Sequence, residues 1–454
     1  MSAVQESRSF SVASPSAREA IRAVADESAE FGREIVSQDP LDWPGYEEQL
    51  AHAREKSGER EAVIAGEARI GETPVVIIAF DFNFLGGSMG EAAGGKIVEA
   101  FARACESRRV VVSLVATGGA RMQEGMRSLV QMQKIASACA RARTEGIPHV
   151  SVLCDPTTGG VWASLAASAD FLIGVKGATV SFAGPRVRDG DGEGGAFASA
   201  GKFRRGFIDL ELKAEDVPER LTTIVALLSP VGEEPSDPPE LPAALGRARP
   251  PEEAWDSVER ARSFARPHAT AYLDDYFEER AEISGDRVGG VDENMLCGFG
   301  RRKGRTIAYA AQRGAANSAA GFRTAKRLLG LAERLRLPVL TLIDTPGAGN
   351  EEKDEQEGVG TAIAELLCTV ASLSVPMTSL VIGEGGSGGA LALAALGNLW
   401  ITPDGYFAVI APESAAAILE HDESRAEAVS ENMQLMPQDL VRLGIVRGIT
   451  TPET

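Results

Sequence analysis

The sequence predicts an α/β protein made of two similar domains in tandem. Three observations carry this. Short apolar runs alternate with helix-like stretches, one pattern recurs at a nearly constant offset, and a proline-rich break separates its two copies. A chain of 454 residues has room for two or three domains.

In the first half, residues 73–80 read as a strand and 95–105 as a helix. Residues 110–116 (VVVSLVA) are apolar throughout, as expected of a parallel strand covered on both faces. They run into Thr117-Gly118-Gly119-Ala120. A helix follows over 126–143, then a strand led by Pro148 that ends in Thr158-Gly159-Gly160 and opens a helix of small residues. Residues 169–174 and 179–185 complete this half.

The break spans 229–251, where Pro230, Pro235, Pro238, Pro239, Pro242, Pro250 and Pro251 remove amide donors and fix φ, so neither a helix nor a central strand fits. Beyond it, 305–311 and 321–335 repeat the opening strand and helix. Residues 339–344 (VLTLID) run into Thr345-Pro346-Gly347-Ala348, an offset of 345 − 117 = 228. A helix over 361–372 precedes a strand led by Pro376, and 376 − 148 = 228 again. Next comes Gly385-Gly386-Ser387-Gly388-Gly389-Ala390, where pairing Gly388 with Gly159 gives 388 − 159 = 229. Residues 398–402 and 407–412 close the repeat. The expected organisation is a polar extension over 1–40, a domain over 41–228, a linker over 229–251 and a second domain over 252–454.

Charge and composition exclude several functions. With 46 Lys plus Arg against 65 Asp plus Glu, the net charge of −19 argues against nucleic acid as a partner. Cys105, Cys139, Cys154, Cys297 and Cys368 form no CxxC pair, so neither a zinc ribbon nor a disulfide framework is expected. No apolar run is long enough to span a bilayer and no leader-like apolar core precedes residue 38, so a soluble cytoplasmic protein is expected. His52, His149, His268 and His421 fall in no ligand or catalytic spacing, so the chemistry is expected to run without a histidine base.

The glycine turns are the candidate chemistry. Glycine lets backbone approach a ligand, and N–H groups at a helix start favour negative charge. Gly118 and Gly119, with Gly388, Gly389 and Ala390, are therefore candidate oxyanion donors. The alternative, that these glycines only permit tight turns and close packing, stands beside it. No GxxxxGK[ST] occurs, the GxGxxG over 383–388 lacks its acidic partner about twenty residues on, and no GxSxG has a plausible histidine. FDFNFLGGSMG over 80–90 brings Phe84, Gly86 and Gly87 together as a candidate substrate wall, and Arg121, Arg127, Lys134 and Arg186 are candidate phosphate partners.

At these residues a resemblance emerges. LGGSMG (85–90), TGGARMQE (117–124), DPTTGG (155–160) and FAGPRV (182–187) resemble the β subunit of bacterial acetyl-CoA carboxylase carboxyltransferase. GFRTAKRL (321–328), IDTPGA (343–348), IGEGGSGGALA (382–392) and APE (411–413) resemble its α subunit. The chain thus looks like a β–α fusion, which implies two ClpP/crotonase domains in tandem. The resemblance implies transfer of a carboxyl group from carboxybiotin to acetyl-CoA or a related acyl thioester, giving a malonyl-CoA-type product. By the same resemblance Gly118 and Gly119 would hold the thioester enolate, with Phe84, Gly86, Gly87, Ala120, Arg121, Gly159 and Gly160 around the substrate. Gly388, Gly389 and Ala390 would face biotin, with Gly347, Ala348, Gly385 and Gly386 binding it. No biotin-attachment motif or ATP-grasp carboxylase occurs here, so a biotin carboxyl carrier protein and a biotin carboxylase are expected as partners, in a homodimer or larger assembly whose sites join unlike domains of two copies. The family's four-cysteine ribbon is absent, so no zinc is expected. Two departures, a shortened loop at 312–321 and an acidic segment at 349–356, leave open a malonyl-thioester decarboxylase acting on CoA or an acyl carrier protein, and a non-catalytic scaffold.

Overall fold

Two sheets carry the chain, one in each of the units Met1–Gly232 and Glu233–Thr454 into which the computed structural model divides. Residue 10 and residues 16–184, 195–229 and 237–452 are described. The strands of unit 1 are β1 (Glu27–Phe31), β2 (Val63–Ile70), β3 (Thr73–Phe80), β4 (Val110–Thr117), β5 (His149–Thr158), β6 (Phe171–Val175), β7 (Val180–Ser181) and β8 (Leu210–Leu212). Their order is β1-β2-β3-β4-β5-β6-β8, with β7 on the end of β5. From β3 onward every pairing is parallel, and β4 is buried along its whole length, as its unbroken apolar run requires.

The helices are α1 (Ala17–Val24), α2 (Tyr46–Ser57), α3 (Glu91–Ser107), α4 (Gly125–Leu129), α5 (Gln131–Thr144), α6 (Gly159–Ser164), α7 (Ser199–Arg204) and α8 (Val217–Leu228). Residues 1–40 are not simply a polar extension. A capping box between Ser16 and Glu19 starts α1, which buries Ala17, Ala20, Ile21, Ala23 and Val24. The Ala17 N–H donates to buried Asp81 Oδ2 at 2.9 Å, and β1 pairs antiparallel with β2.

Unit 2 repeats the plan with β9 (Glu279–Ile283), β10 (Met295–Arg302), β11 (Arg305–Gln312), β12 (Val339–Thr345), β13 (Met377–Gly386), β14 (Leu399–Ile401) and β15 (Tyr406–Ala408). The order is β14-β13-β12-β11-β10-β9, with β15 on the end of β13. Its helices include α9 (Ala254–Arg262), α10 (Ala269–Tyr276), α11 (Ala319–Leu335), α12 (Glu352–Gln356), α13 (Val359–Ser372) and α14 (Ser387–Leu391). Each sheet also has an antiparallel edge, β1–β2–β3 and β9–β10–β11, which the expectation of purely parallel β-α units missed. The hairpins β2–β3 and β10–β11 within these edges are each closed by two residues, too few for a crossover helix.

The repeat extends to irregular features. Helix α3 ends on Arg108 at φ 51° and α11 on Arg336 at φ 55°, an offset of 336 − 108 = 228. A register shift lies between Val115 and Thr117 and again between Ile343 and Thr345. The described part of the proline-rich segment, residues 237–251, forms no helix or strand but belongs to unit 2 rather than hanging free. The carbonyls of Pro239, Glu240 and Pro242 accept from Thr378, Tyr276 and Thr450 at 2.8, 2.8 and 3.0 Å.

One buried polar group makes a testable difference between the copies. His149 shares a 2.8 Å hydrogen bond with Ser113, which donates to Ser151 at 2.9 Å, while its ring meets Phe101 edge-on. Unit 2 keeps the hydroxyl pair as Thr341 and Ser379 but has Met377 at the place of His149 (377 − 149 = 228). Burial pushes the His149 imidazole down to about 4. An unfolded histidine titrates near 6.5, so folded His149 stays neutral while the unfolded state takes up a proton. Its stabilisation is complete above about pH 6.5 and falls by about 3 kcal/mol as pH drops towards 4. His149→Met is expected to flatten that acid-side decline. Urea unfolding of unit 1 followed across pH 4–7 checks it, and an unchanged slope would contradict the assignment.

Candidate functional site

The end of β4 and the start of α6 meet through glycine backbone. Gly119 has φ +109° and Gly159 φ +73°, and a Cβ built on Gly159 would lie 2.7 Å from the Gly119 Cα. A third loop enters from Leu85, Gly86 and Gly87, all left-handed, and a Cβ on Gly87 would lie 2.1 Å from the Ala116 carbonyl oxygen. Only glycine fits these contacts.

The destination of each N–H decides which groups can meet a ligand. Gly118 N–H donates to Gly86 O at 2.8 Å, and Gly119 N–H to Thr117 Oγ1 at 3.0 Å. Gly159 N–H donates to Phe182 O at 3.0 Å. Met89 bridges in parallel to Ala120, bonding Gly119 O and the Arg121 N–H and turning the Ala120 N–H outward. The N–H groups of Ala120 and Gly160 have no acceptor among the described residues. Gly118 and Gly119 therefore shape the turn but have spent the donors expected of them, and the neighbouring Ala120 and Gly160 hold the unspent ones.

Unit 2 reproduces much of this arrangement, although Pro346 stands at the place of Gly118 and has no N–H to donate. Gly347 N–H donates to Thr345 Oγ1 at 3.1 Å, and Asn317 bridges to Ala348, as Met89 does to Ala120. The N–H groups of Ala348, Gly388 and Gly389 have no acceptor among the described residues. Ser387, at φ 52°, occupies the left-handed position that Gly159 holds in unit 1, so the true offset is 387 − 159 = 228 and Gly388 corresponds to Gly160. Pairing glycine with glycine displaced the sequence alignment by one residue. A Cβ on Gly389 would lie 2.6 Å from the Ala348 nitrogen, whereas a Cβ on Gly388 meets nothing within 4 Å. Gly385 and Gly386 pack instead against Phe407 and the Pro346 carbonyl, and Ala390 is buried. Ser387 is exposed, and no described base is hydrogen-bonded to its hydroxyl, so it has no activated oxygen.

Arg121 departs most from its expected place. Its guanidinium is buried, 2.5 Å from Glu61 and 3.1 Å from Glu124, and donates to Tyr46 at 3.3 Å and to the Ser88 carbonyl at 2.6 Å. It stacks over Phe84 at 5.5 Å, and Phe84 is itself core, packed with Tyr46, Leu50, Ala53 and Ala62. Both side chains are buried. Both brace the 85–89 loop from behind, because a buried guanidinium must find acceptors for its donors. Burial pushes the Glu61 carboxyl up, but Arg121 beside it reverses this and holds it below the usual carboxylate range. Arg127 pairs with Glu91 on the surface, Lys134 is exposed, and Arg186 lies outside the described residues, as does the end of FAGPRV.

Sequence reasoning missed two side chains under the second turn. Asp344, buried at the end of β12, accepts from Arg266 at 2.6 Å and from the Glu384 N–H at 3.1 Å, while Arg262 pairs with Glu384 at 3.2 Å. Buried acids beside a glycine turn were the available signal. Among the described residues no group of three or more His, Cys, Asp or Glu is placed to hold a metal, and no helix is long and apolar enough to cross a membrane.

Comparison with known proteins adds the following. A family model described as acetyl co-enzyme A carboxylase carboxyltransferase-like matches residues 252–453. The acetyl-coenzyme A carboxylase carboxyl transferase subunits beta/alpha of Salinispora tropica are 39% identical over 427 residues, 89% of this chain and 75% of that protein. Their counterpart in Saccharopolyspora erythraea is 36% identical over 445 residues, 92% of this chain and 77% of that protein. A probable biotin-dependent acyl-coenzyme A carboxylase beta3 subunit of Mycobacterium tuberculosis is 32% identical over 411 residues, 88% of this chain and 82% of that protein. In fold, the chain resembles the transcarboxylase 12S hexamer core solved with methylmalonyl-coenzyme A, at a TM-score of 0.78 and 21% identity, covering 96% of this chain and 87% of that one.

Proposed function

Because this chain belongs to the acetyl-CoA carboxylase carboxyltransferase family, we propose that it moves a carboxyl group from carboxybiotin, borne on a separate carrier protein, to acetyl-CoA or a related acyl thioester. The observation supporting this is the pair of corresponding turns, each presenting unspent N–H groups beside a glycine cradle: Ala120 with Gly160, and Ala348 with Gly388 and Gly389. Carboxyl transfer to an α-carbon needs two oxyanions held, one on the thioester and one on the biotin ring.

The chain's part is largely electrostatic. Ala120 and Gly160 would hold the thioester oxygen as the α-proton leaves for the biotin ring nitrogen that has given up its carboxyl group, and Ala348 with Gly388 would hold the ureido oxygen of biotin. Each backbone donor of this kind is worth about 3–4 kcal/mol to the transition state. Carboxybiotin supplies the carboxyl group as CO2. Of the four histidines, His149 is buried with its pKa depressed and His268 lies 3.4 Å from Asp344, while His52 on α2 and His421 are exposed and belong to neither glycine turn. The donor set fits the group, since a ureido oxygen asks only for paired N–H donors and for room, and the open space at Gly388 provides it. A biotin carrier and a biotin carboxylase would then be partners, and a homodimer or larger assembly the working form.

The test is label transfer from carboxybiotinylated carrier protein to a panel of acyl-CoA thioesters. Labelled malonyl-CoA or a homologue is the expected product. No transfer to any acyl-CoA would overturn the reading.

A further inference from the structure

The two glycine turns differ in what stands beneath them. Strand register equates Gln312 with Phe80, because Ala311 pairs with Leu342 as Ala79 pairs with Leu114. The offset of 228 equates Asp344 with Ala116 and Gly389 with Val161. Unit 1 fills this place with Phe80, Ala116 and Val161, all buried, whereas unit 2 puts a buried amide and a buried carboxylate there. The fold does not ask for polar groups at these positions, and a buried amide costs free energy unless its donor and its acceptor are both met.

Gln312 meets both. Fully buried at the end of β11, it accepts the Asp344 N–H on Oε1 at 3.3 Å and donates from Nε2 to the Gly389 carbonyl at 3.1 Å. That carbonyl takes no backbone N–H, since Ala392 donates to Gly388 and Ala390, and Leu393 to Ala390. Helix α14 has only five residues, too few internal bonds to fix its own first turn. The Asp344 carboxylate holds the end of β13 as well, accepting the Glu384 N–H at 3.1 Å while Arg266 holds it at 2.6 Å. The segments that carry the unspent N–H groups, Ala348 just after β12 and Gly388 with Gly389 in α14, are thus tied together through one buried side-chain amide.

We propose that Gln312 is a positioning residue for carboxyl transfer, setting the direction of the Gly388 and Gly389 N–H groups relative to that of Ala348 so that they converge on one ureido oxygen. This role rests on the carboxyl-transfer reading above, and Gln312 itself touches neither substrate. Phe80 can make no such bonds under the unit 1 turn, so the effect of Gln312 belongs to the biotin half of the reaction.

Steady-state transfer from malonyl-CoA to biotinylated carrier protein, compared between the full-length chain and its Gln312→Met and Gln312→Asn variants, tests this. Gln312→Met keeps the length of the side chain and loses both bonds, while Gln312→Asn keeps an amide one methylene too short to span both partners. With an active parent protein, both variants are expected to lower kcat at least about tenfold at an unchanged KM for malonyl-CoA. A residue that only supports the fold would lower the melting temperature and leave the kcat of the folded protein as it was. Unchanged kcat in either folded variant overturns the role, as does a loss of kcat accompanied by a comparable rise in the KM for malonyl-CoA. Absence of transfer by the parent protein is a separate outcome, which overturns the carboxyl-transfer reading and this role with it.

Discussion

Gly388→Val is expected to lower the rate of carboxyl transfer by about 10²–10³-fold while leaving thermal stability nearly unchanged. Gly388 is the one glycine of its turn at which a side chain costs the fold little. Its φ is not in the left-handed region, it lies in the first turn of α14, and an added Cβ meets nothing within 4 Å. Replacing glycine in a helix with alanine even favours the helix, by roughly 0.5–1 kcal/mol. A branched side chain would instead take up the open space beside Gly388 that the biotin ring is proposed to use, and loss of one oxyanion donor costs about 10²–10³ in rate. Gly389→Ala is the poorer probe, since its Cβ would lie 2.6 Å from the Ala348 nitrogen and the turn itself would shift. Steady-state kinetics of Gly388→Ala and Gly388→Val beside their melting curves decide the matter. Full activity in Gly388→Val would remove this turn from the site and favour a scaffold role.

Arg121→Met is expected to destabilise unit 1 by about 3–5 kcal/mol, because it strands a buried carboxylate at Glu61. For a unit of this size that is a fall of about 10 °C in melting temperature. Glu61→Leu together with Arg121→Met should recover much of the loss, since apolar replacement of both partners removes the desolvation penalty. The pH dependence has a definite sign. Glu61 is held below its unfolded value, so its stabilisation is complete above the ordinary carboxylate range and is lost as pH falls through it. Calorimetric melting of the single and double variants checks this. A single-variant loss under 1 kcal/mol would contradict a bracing role.

Much of the fold was legible because a buried parallel strand and a strand-to-helix turn both leave strong marks in sequence. The runs at 110–116 and 339–344 could only be interior strands, and their common offset exposed the repeat. Helix α1 and strand β1 were hidden for the opposite reason. Glu27–Phe31 (ESAEF) is an edge strand with two glutamates and a serine among its five residues and none fully buried, so it has no apolar alternation to read. In the glycine turns the residue types pointed to the right place but not to the right atoms. Composition cannot say that Gly86 O consumes the amide of Gly118, because that bond joins two loops distant in sequence, while Thr117 Oγ1 takes the Gly119 amide two residues on. The one-residue error at Gly159 arose because Ser387 adopts a backbone conformation that usually marks glycine. Arg121 and Phe84 were misplaced because the cluster that buries them draws on residues far away in the chain, Ser37, Tyr46 and Glu61.

The most direct test of the central claim is the fate of the carboxyl group of malonyl-CoA. The protein alone is expected to leave malonyl-CoA intact, and adding biotinylated carrier protein should move the carboxyl group onto biotin and release acetyl-CoA. Rapid release of CO2 from malonyl-CoA without any biotin acceptor would contradict carboxyl transfer and assign the paired turns to decarboxylation.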